Sequence, residues 1–304
     1  MLAIVSHQDC QFHDAGPYHP DTPQRLHAIN DQLLMSGLDF VLRQYDAPLA
    51  TVEQLARAHN RDYIDRVFKM APQKGSVEID DDTVMSVGTL DAALRASGAG
   101  VFGVDLIMKK EASSVFCSVR PPGHHAERAK SMGFCLFNNI AIAAAHALEE
   151  YNFERVAIVD FDVHHGNGTE DIFKDDERVL FCSSFQHPFY PFTGHASDTK
   201  NLVDVPLSAA TKSAEFRQAI TEHWLPALND FKPQFIFISA GFDAHILDDM
   251  SSLQLVESDY SWITKELRAI ADKHANGRIL STLEGGYEPS EMGRSVISHL
   301  NALF

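Results

Sequence analysis

Short, continuous apolar runs that alternate with helical patterns constrain the fold of this chain more than any other feature. The strand-like runs lie at 2–6, 114–119, 156–163, 179–184, 235–240 and 279–283. Apolar residues recur at helical spacing at 22–35, 52–70 (in two pieces), 88–109, 137–150, 212–228, 256–274 and 290–302. Apolar strands separated by helices are typical of a parallel sheet that is buried on both faces. We therefore predict an α/β fold with helices on both faces of a parallel sheet.

Chain length and composition favour a single domain. A chain of 304 residues with 45% hydrophobic residues can build one large α/β core. No repeat and no linker rich in Gly, Ser or Pro divides the sequence. We therefore predict one domain spanning residues 1–304.

The charge and the cysteines exclude several classes of protein. A formal net charge of −17 argues against binding to nucleic acid, which requires basic groups for the phosphates. Such a charge promotes solubility and can also attract cationic substrates. The four cysteines form no C-x-x-C pair, so we predict no zinc ribbon and no disulfides, with Cys117 and Cys182 buried. No segment resembles a signal peptide or a membrane span, which predicts a cytoplasmic protein without a membrane partner.

One glycine motif, at 98–103, matches the pattern G-x-G-x-x-G of dinucleotide-binding proteins. That motif must follow a strand and begin a helix. Here it lies inside the helical pattern of 88–109. We therefore interpret these glycines as small residues at a close helix contact.

Polar side chains follow four of the predicted strands. Asp160, Asp162 and His164 come at the end of one run, on the same side of an extended chain. Three such groups are costly to bury without a partner, and a cation would remove that cost. The other three strand ends carry His124 with His125, Asp243, and the sequence Glu284-Gly-Gly-Tyr287. In parallel sheets, ligands bind at the carboxyl ends of strands, so we predict a functional site there.

Single members of this group would not justify that prediction. A lone aspartate such as Asp243 is more often a helix cap or a turn residue. We interpret His195 and His245 as ordinary polar residues. The functional interpretation depends on several polar groups falling at several strand ends together.

Six motifs resemble the histone deacetylase family. They are HPDTPQRL at 19–26, RPPGHH at 120–125, GFCLFNN at 133–139, DFDVHHGNGT at 160–169, SAGFDA at 239–244 and EGGY at 284–287. The match extends over most of the chain and is nearest to the class II branch and its bacterial amidohydrolase relatives. The resemblance implies the arginase–deacetylase fold, which is one α/β domain around a parallel sheet of about eight strands.

The resemblance implies a metal site at Asp162, His164 and Asp243. Three protein ligands with one open position are the pattern of catalytic zinc. Oxygen-rich ligation also permits Fe²⁺, and the sequence leaves both ions open. The ion would polarise the scissile carbonyl and activate a water molecule.

The resemblance also implies roles in proton transfer. His124 and His125 match a tandem pair that supplies a general base and protonates the leaving amine, and which of the two is the base stays open. Asp160 would orient His124, and Asn167 would be the partner of His125. Tyr287 matches a tyrosine that hydrogen-bonds the developing oxyanion.

Substrate-binding residues follow from the same resemblance. Phe134 and Tyr190 match aromatic walls of a tunnel, the carbonyl of Gly133 would accept from the substrate amide, and Arg25 matches an arginine near the exit of the acid product. Met250 occupies the position at which polyamine-selective relatives carry an acidic residue. An apolar residue there favours acyl-lysine over a polyamine.

Two residues depart from the family pattern. Phe192 replaces a glycine, and Gln186 replaces a histidine that many relatives carry. We expect Phe192 to reshape the pocket rim, so that the two departures affect substrate preference rather than the metal ligands.

The family also binds K⁺ or Na⁺ through backbone carbonyls. The matching residues of one set are Asp160, Asp162, His164, Ser184 and Phe185. Those of a second set are Phe173, Asp176 and Val179.

The sequence therefore predicts an enzyme that hydrolyses an amide to release an acetyl or other short acyl group. The preferred substrate is acetyl-lysine in a protein or peptide, and the alternative is an acetylpolyamine or another small acylated amine. A ureohydrolase of the same fold would need additional carboxylates for a second metal ion. A non-catalytic acyl-lysine binder would not need the complete set of catalytic residues.

Overall fold

A computed structural model describes residues 1–194 and 199–304 of the chain. His195 lies outside the described residues. The strands are β1 (Leu2–Ser6), β2 (Arg43–Asp46), β3 (Ser76–Glu78), β4 (Val84–Ser86), β5 (Ser114–Cys117), β6 (Val156–Asp160), β7 (Val179–Gln186), β8 (Leu202–Leu207), β9 (Phe235–Ala240) and β10 (Ile279–Leu283).

Eight of these strands form one parallel sheet in the order β2-β1-β5-β10-β9-β6-β7-β8. β3 and β4 form a separate antiparallel pair. The predicted α/β fold with a parallel sheet of about eight strands is therefore confirmed. The four strands whose ends carry the predicted site, β5, β10, β9 and β6, are neighbours in the middle of the sheet.

The α-helices in the described part of the chain are α1 (Gln24–Ser36), α2 (Val52–Leu55), α3 (Arg61–Met70), α4 (Thr89–Met108), α5 (Asn139–Glu150), α6 (Asn167–Phe173), α7 (Ser213–Phe231), α8 (Glu257–His274) and α9 (Pro289–Leu303). Helices α4 and α5 pack against each other, while α8 packs against α7 and α9, and α9 against α1. Strand β9 contacts both α5 and α8. The two groups of helices thus cover the sheet, and the predicted division of 52–70 into two helices is confirmed.

Burial explains which strands were visible in the sequence. Every residue of β5, β6, β7, β9 and β10 is buried, so these strands are apolar almost throughout. The sequence patterns missed β2 and β8, which are the edge strands. The β2 sequence, RQYD, is largely exposed, and β8 contains Pro206. Edge strands need no continuous apolar pattern, because one of their sides faces no neighbouring strand.

Two further predictions concern local structure. The run predicted as a strand over 156–163 ends at Asp160, so Asp162 and His164 lie in the following loop. The glycine motif at 98–103 lies inside α4, as predicted. A Cβ atom on Gly98 would lie 1.9 Å from the carbonyl oxygen of Pro48, which confirms a close helix contact.

All four cysteines are unpaired and buried, including Cys117 and Cys182. Within the two described ranges, no helix combines the length and the apolar character that a bilayer crossing demands.

Candidate active site

The loops after β6 and β9 bring Asp162, His164 and Asp243 together; we call these three residues the strand-end cluster. One ligand atom from each lies within 4.8 Å of the others, and all three residues are buried. Nδ1 of His164 lies 3.1 Å from Oδ1 of Asp162 and 3.2 Å from Oδ2 of Asp243. The structure thus brings side chains from two separate strand ends together.

The remaining contacts of the cluster leave room for an ion. Oδ1 of Asp243 accepts the N–H of Val163 (2.9 Å), whereas Oδ2 is buried without a hydrogen bond. A Cβ on Gly285 would lie 2.0 Å from that Oδ2 atom, and a Cβ on Gly241 would lie 2.1 Å from Oδ2 of Asp162. A buried carboxylate oxygen without a hydrogen bond, in a cradle that only glycine leaves open, fits a bound cation.

Charge within the strand-end cluster is unbalanced. Burial and the nearby charge of Asp162 raise the pKa of Asp243 to about 7. The pKa of Asp162 is lowered although burial opposes this, because the charges of His124 and His164 outweigh it. Two buried carboxylates that share one imidazole strongly favour the binding of a cation.

The loop after β5 carries His124, which has a carboxylate partner. Its Nδ1 lies 2.8 Å from Oδ2 of Asp160, and its Nε2 faces the cluster, 3.8 Å from Oδ1 of Asp162. Oε2 of Glu284 accepts the backbone N–H groups of Gly123 (2.7 Å) and His124 (3.1 Å). Burial would lower the pKa of His124, but Asp160 and Asp162 outweigh it and raise the pKa to about 10.

The neighbouring His125 has an amide partner instead. Its Nδ1 lies 2.7 Å from Oδ1 of Asn167, whose Nδ2 donates to Glu127. Nδ1 of His125 therefore carries the proton, which leaves Nε2 as an acceptor. Burial lowers the pKa of His125 well below its usual value, and His124 and His164 lower it further. The ring centroids of His124 and His125 lie 4.0 Å apart, yet the pKa of His124 is raised by its carboxylate neighbours and that of His125 is lowered by burial.

A cavity of about 240 Å³ opens onto these groups. It is lined by Asp82, His125, Gly133, Phe134, His164, Phe189, Tyr190, Met250 and Tyr287. The lining thus combines predicted metal, catalytic and substrate-binding residues in one enclosure. Its aromatic character suits an apolar chain that ends in a polar group.

Aromatic contacts order the walls of the cavity. The ring of Tyr190 meets His125 edge-on, with centroids 5.2 Å apart, and Phe134 is perpendicular to Tyr287 at 5.9 Å. Phe189 stacks on His164 at 5.5 Å. Phe134 and Tyr190 lie where the sequence predicted tunnel walls.

Gly133 lies against the histidine pair. A Cβ at this position, where φ is +59°, would lie 2.2 Å from Cδ2 of His125, so only glycine fits. Its N–H donates to Asp82 (2.9 Å), and its carbonyl accepts from the Cys135 thiol (3.2 Å).

Sequence reasoning missed two cavity residues, Asp82 and Phe189. Asp82 ends an acidic run at 80–82, which was the available signal. Phe189 precedes Tyr190, and a pair of adjacent aromatic residues gave no indication of which ring faces inward. In both cases the loop conformation decides the position of the side chain.

Arg25 is buried beneath Tyr287. Its Cζ lies 4.8 Å from the centroid of the tyrosine ring, and its Nη1 donates to Asp21 (2.6 Å). Its other donors contact the backbone carbonyls of Glu284 and Gly286. The structure thus brings Arg25 to the tyrosine, whereas its predicted role in product exit remains a prediction.

The two departures from the family pattern have different environments. Phe192 is 70% exposed and is not among the residues that line the cavity, so its effect on the pocket rim remains a prediction. Its φ of +63° explains why glycine suits this position. Gln186 is buried, and its Oε1 accepts the N–H of Ser252 (2.8 Å). It therefore connects β7 to the loop that follows Met250.

The two predicted sets of monovalent-cation residues also differ. In the first, Ser184 and Phe185 lie at the end of β7, which pairs with β6 beside Asp160. In the second, Nδ2 of Asn201 donates to the carbonyls of Phe173 (2.9 Å) and Asp176 (3.2 Å). Two oxygens of the second set therefore share one amide donor, and each carbonyl oxygen keeps a second lone pair.

The fold and the site are those of a known protein family, as similarity to known proteins shows. A family model described as "Histone deacetylase domain" matches residues 19–303. The chain belongs to the histone deacetylase family, whose members act as deacetylases and amidohydrolases on acylated substrates.

Individual relatives cover nearly the whole chain. A "Probable deacetylase" of Archaeoglobus fulgidus is 39% identical over 94% of this chain and 81% of its own length. A "Histone deacetylase-like amidohydrolase" of Pseudomonas aeruginosa is 32% identical over 97% of this chain and 84% of its own. "Polyamine deacetylase HDAC10" of Homo sapiens is 32% identical over 99% of this chain but only 48% of its own.

A solved structure supports the same conclusion. The crystal structure of an HDA15 HD domain superimposes with a TM-score of 0.93 at 32% identity. The match covers 99% of this chain and 87% of that one. The family and the arginase–deacetylase fold implied by the sequence motifs are thus confirmed.

Proposed function

We propose that this protein is a metal-dependent deacetylase that removes an acetyl or short acyl group from acyl-lysine in a protein or peptide. One observation supports the proposal above all others. His164 of the strand-end cluster, His125 of the histidine pair and Tyr287 line one aromatic cavity of about 240 Å³, and Asp162 and Asp243 lie beside His164. A side chain of the length of lysine can enter such a cavity and place its amide beside all three.

We assign the metal to Asp162, His164 and Asp243. Oδ2 of Asp243, which has no hydrogen bond, and the space beside Gly241 and Gly285 fit an ion there. Two carboxylates and one imidazole suit Zn²⁺ and also Fe²⁺. When bound, the ion would act as a Lewis acid on the substrate carbonyl and on a water molecule.

Proton transfer falls to the histidine pair. Asn167 holds the Nδ1 proton of His125 and leaves Nε2 free to accept one. Asp160 holds Nδ1 of His124 and orients its Nε2 towards the strand-end cluster. The pair can thus take a proton at one ring and deliver one to the leaving amine at the other.

Tyr287 and the cavity walls complete the assignment. The hydroxyl of Tyr287 would donate to the developing oxyanion. Phe134 and Tyr190 would hold the aliphatic part of the substrate, and the Gly133 carbonyl would accept from its amide. We also propose that K⁺ or Na⁺ binds the backbone of Asp160, Asp162, His164, Ser184 and Phe185, and that a second ion binds the backbone of Phe173, Asp176 and Val179.

Met250 favours acyl-lysine over a polyamine. It lines the cavity where an internal ammonium of a polyamine would need a counter-charge. Asp82 also lines the cavity, and its carboxylate is partly occupied by the Gly133 N–H. The acidic surface can attract either substrate, so it does not discriminate between them.

Acyl release from acetyl-lysine peptides and acetylated polyamines tests the proposal. We expect turnover of peptides that is abolished by a chelator and falls by about a hundredfold or more in Tyr287→Phe. Turnover confined to polyamines would support the chemistry and contradict the substrate. Metal-loaded protein that turns over neither class would contradict the proposed function.

A further inference from the structure

The segment that carries Tyr287 belongs to no strand or helix. Strand β10 ends at Leu283, and α9 begins at Pro289. The two glycines between them lack side chains, and Gly286 has a φ of +116°. A catalytic hydroxyl must nevertheless be held to within about 0.5 Å. Groups outside this segment must therefore fix the tyrosine.

Arg25 holds the carbonyl groups of the segment. Its Nε donates to the carbonyl of Gly286 (2.6 Å), and its Nη2 donates to that of Glu284. Asp21 balances its charge and also accepts from Arg120 (2.7 Å). These side chains are all buried, so their interactions are weakly screened.

Asp248 holds the N–H groups of the same segment. Its Oδ2 accepts from the N–H of Tyr287 (2.6 Å) and from that of Glu288 (3.1 Å). Its Oδ1 accepts the N–H of Met250 (2.9 Å). One buried carboxylate therefore joins the backbone of the tyrosine to that of the residue at the cavity mouth.

We propose that Asp248 is a positioning residue that fixes Tyr287 for catalysis and holds its backbone in a fixed position relative to that of Met250. This inference rests on the proposed function of Tyr287. A carboxylate offers two acceptor oxygens, whereas an amide of the same shape offers only one. Asp248→Asn must therefore turn an NH₂ group towards the N–H of either Tyr287 or Met250. The neighbouring Asp249 has the same charge and is exposed, so Asp249→Asn is a matched control.

A double-mutant cycle tests the positioning role. The kcat and KM for an acetyl-lysine peptide are measured in the wild type, Asp248→Asn, Tyr287→Phe and the double variant. We expect Asp248→Asn to lower kcat by about tenfold or more, and to lose most of that effect when the tyrosine hydroxyl is absent. Asp249→Asn should stay within about twofold of the wild type. An equal effect of Asp248→Asn in both backgrounds would show a merely structural role and overturn the proposal.

Hydrogen exchange tests the same contacts without catalysis. In the wild type, the amides of Tyr287 and Glu288 should be protected although they lie outside regular structure. In Asp248→Asn, they should exchange about tenfold faster or more, while those of β10 stay unchanged. Unprotected amides in the wild type would overturn the inference even if the variant fails to fold. A wild type that is inactive but protected would refute the proposed function and leave the positioning contacts supported.

Discussion

The strand-end cluster and the rim of the cavity lie within one site but are built differently. The cluster follows β6 and β9, in the middle of the sheet, and its carboxylates accept backbone N–H groups from neighbouring loops. The rim, which we define as Asp82, Phe134, Tyr190 and Met250, consists of loop residues from four separate parts of the chain. The cluster thus lies close to the strand ends of the sheet, whereas the rim depends on contacts among loops.

We expect this difference to separate the residues that carry out the reaction from the residues that select the substrate. Buried polar groups in a low-dielectric interior are costly to disturb, so the cluster should tolerate almost no change. Loop residues at a cavity mouth can vary while the scaffold stays intact. We expect changes in the cluster to abolish turnover and changes in the rim to alter substrate choice.

The largest effect should come from Asp243→Asn. The amide keeps the shape of the side chain but loses the charge that we assign to the metal. We expect kcat/KM to fall by about a thousandfold or more, equivalent to about 4 kcal/mol, together with loss of bound metal. Deacetylation rates and metal content measure this, with the exposed Asp249→Asn as the control. More than a tenth of wild-type activity at full metal content would show that Asp243 is not a ligand.

A buried histidine, His59, should make the free energy of unfolding depend on pH. Nε2 of His59 accepts the N–H of Asn138 (2.9 Å), and its Nδ1 lies 2.9 Å from the carbonyl oxygen of Glu127. Burial lowers the pKa of His59 from 6.5 to about 4. Folding therefore favours the neutral ring, whose contribution is complete above pH 6.5 and is lost as the pH falls towards 4.

Urea unfolding of the wild type and His59→Gln measures this contribution. From pH 7.5 to pH 5, the stability difference between the two proteins should change by about 2 kcal/mol, with the wild type losing more. The variant removes the contribution of His59, while His13 and His299, two other histidines whose pKa values are lowered by burial, stay in place. A difference that does not change with pH would show that His59 is not held neutral.

Met250→Glu tests the selectivity of the rim. A carboxylate at this position would supply the counter-charge that an internal ammonium requires. We expect the ratio of kcat/KM for acetylpolyamine to that for acetyl-lysine peptide to rise by about tenfold, equivalent to about 1.4 kcal/mol. Leu247→Glu introduces the same charge at an exposed position nearby and should change the ratio little. Equal shifts in both variants would indicate general attraction by charge rather than a contact at the rim.

The smallest effect should come from Phe192→Gly. Phe192 adopts a φ of +63° and is 70% exposed, so glycine relieves backbone strain and removes little buried surface. We expect stability to rise by less than about 1 kcal/mol and kcat/KM to stay within about twofold. Phe189→Ala, which alters a cavity wall, should reduce kcat/KM in the same assay. A large loss of activity in Phe192→Gly would place Phe192 in the rim after all.

The sequence revealed the cluster more completely than the rim. The cluster residues follow apolar strands, and β5, β10, β9 and β6 lie side by side, so the polar ends of these strands meet. Asp82 and Phe189 were missed because their loops have no periodic pattern. The edge strands β2 and β8 were missed because they lack a continuous apolar run.

By itself, the sequence determined the parallel α/β fold, the family and the residues that meet at the strand ends. Apolar strands must be buried on both faces, and parallel strands place their polar ends at one edge of the sheet. Only the tertiary structure decided that Asp248 joins Tyr287 to Met250, that Asn201 donates to two predicted cation oxygens, and that Phe192 is largely exposed. Some of these features are contacts between loops that are distant in sequence, and others depend on the local backbone conformation. No periodic pattern in the sequence reports either kind of feature.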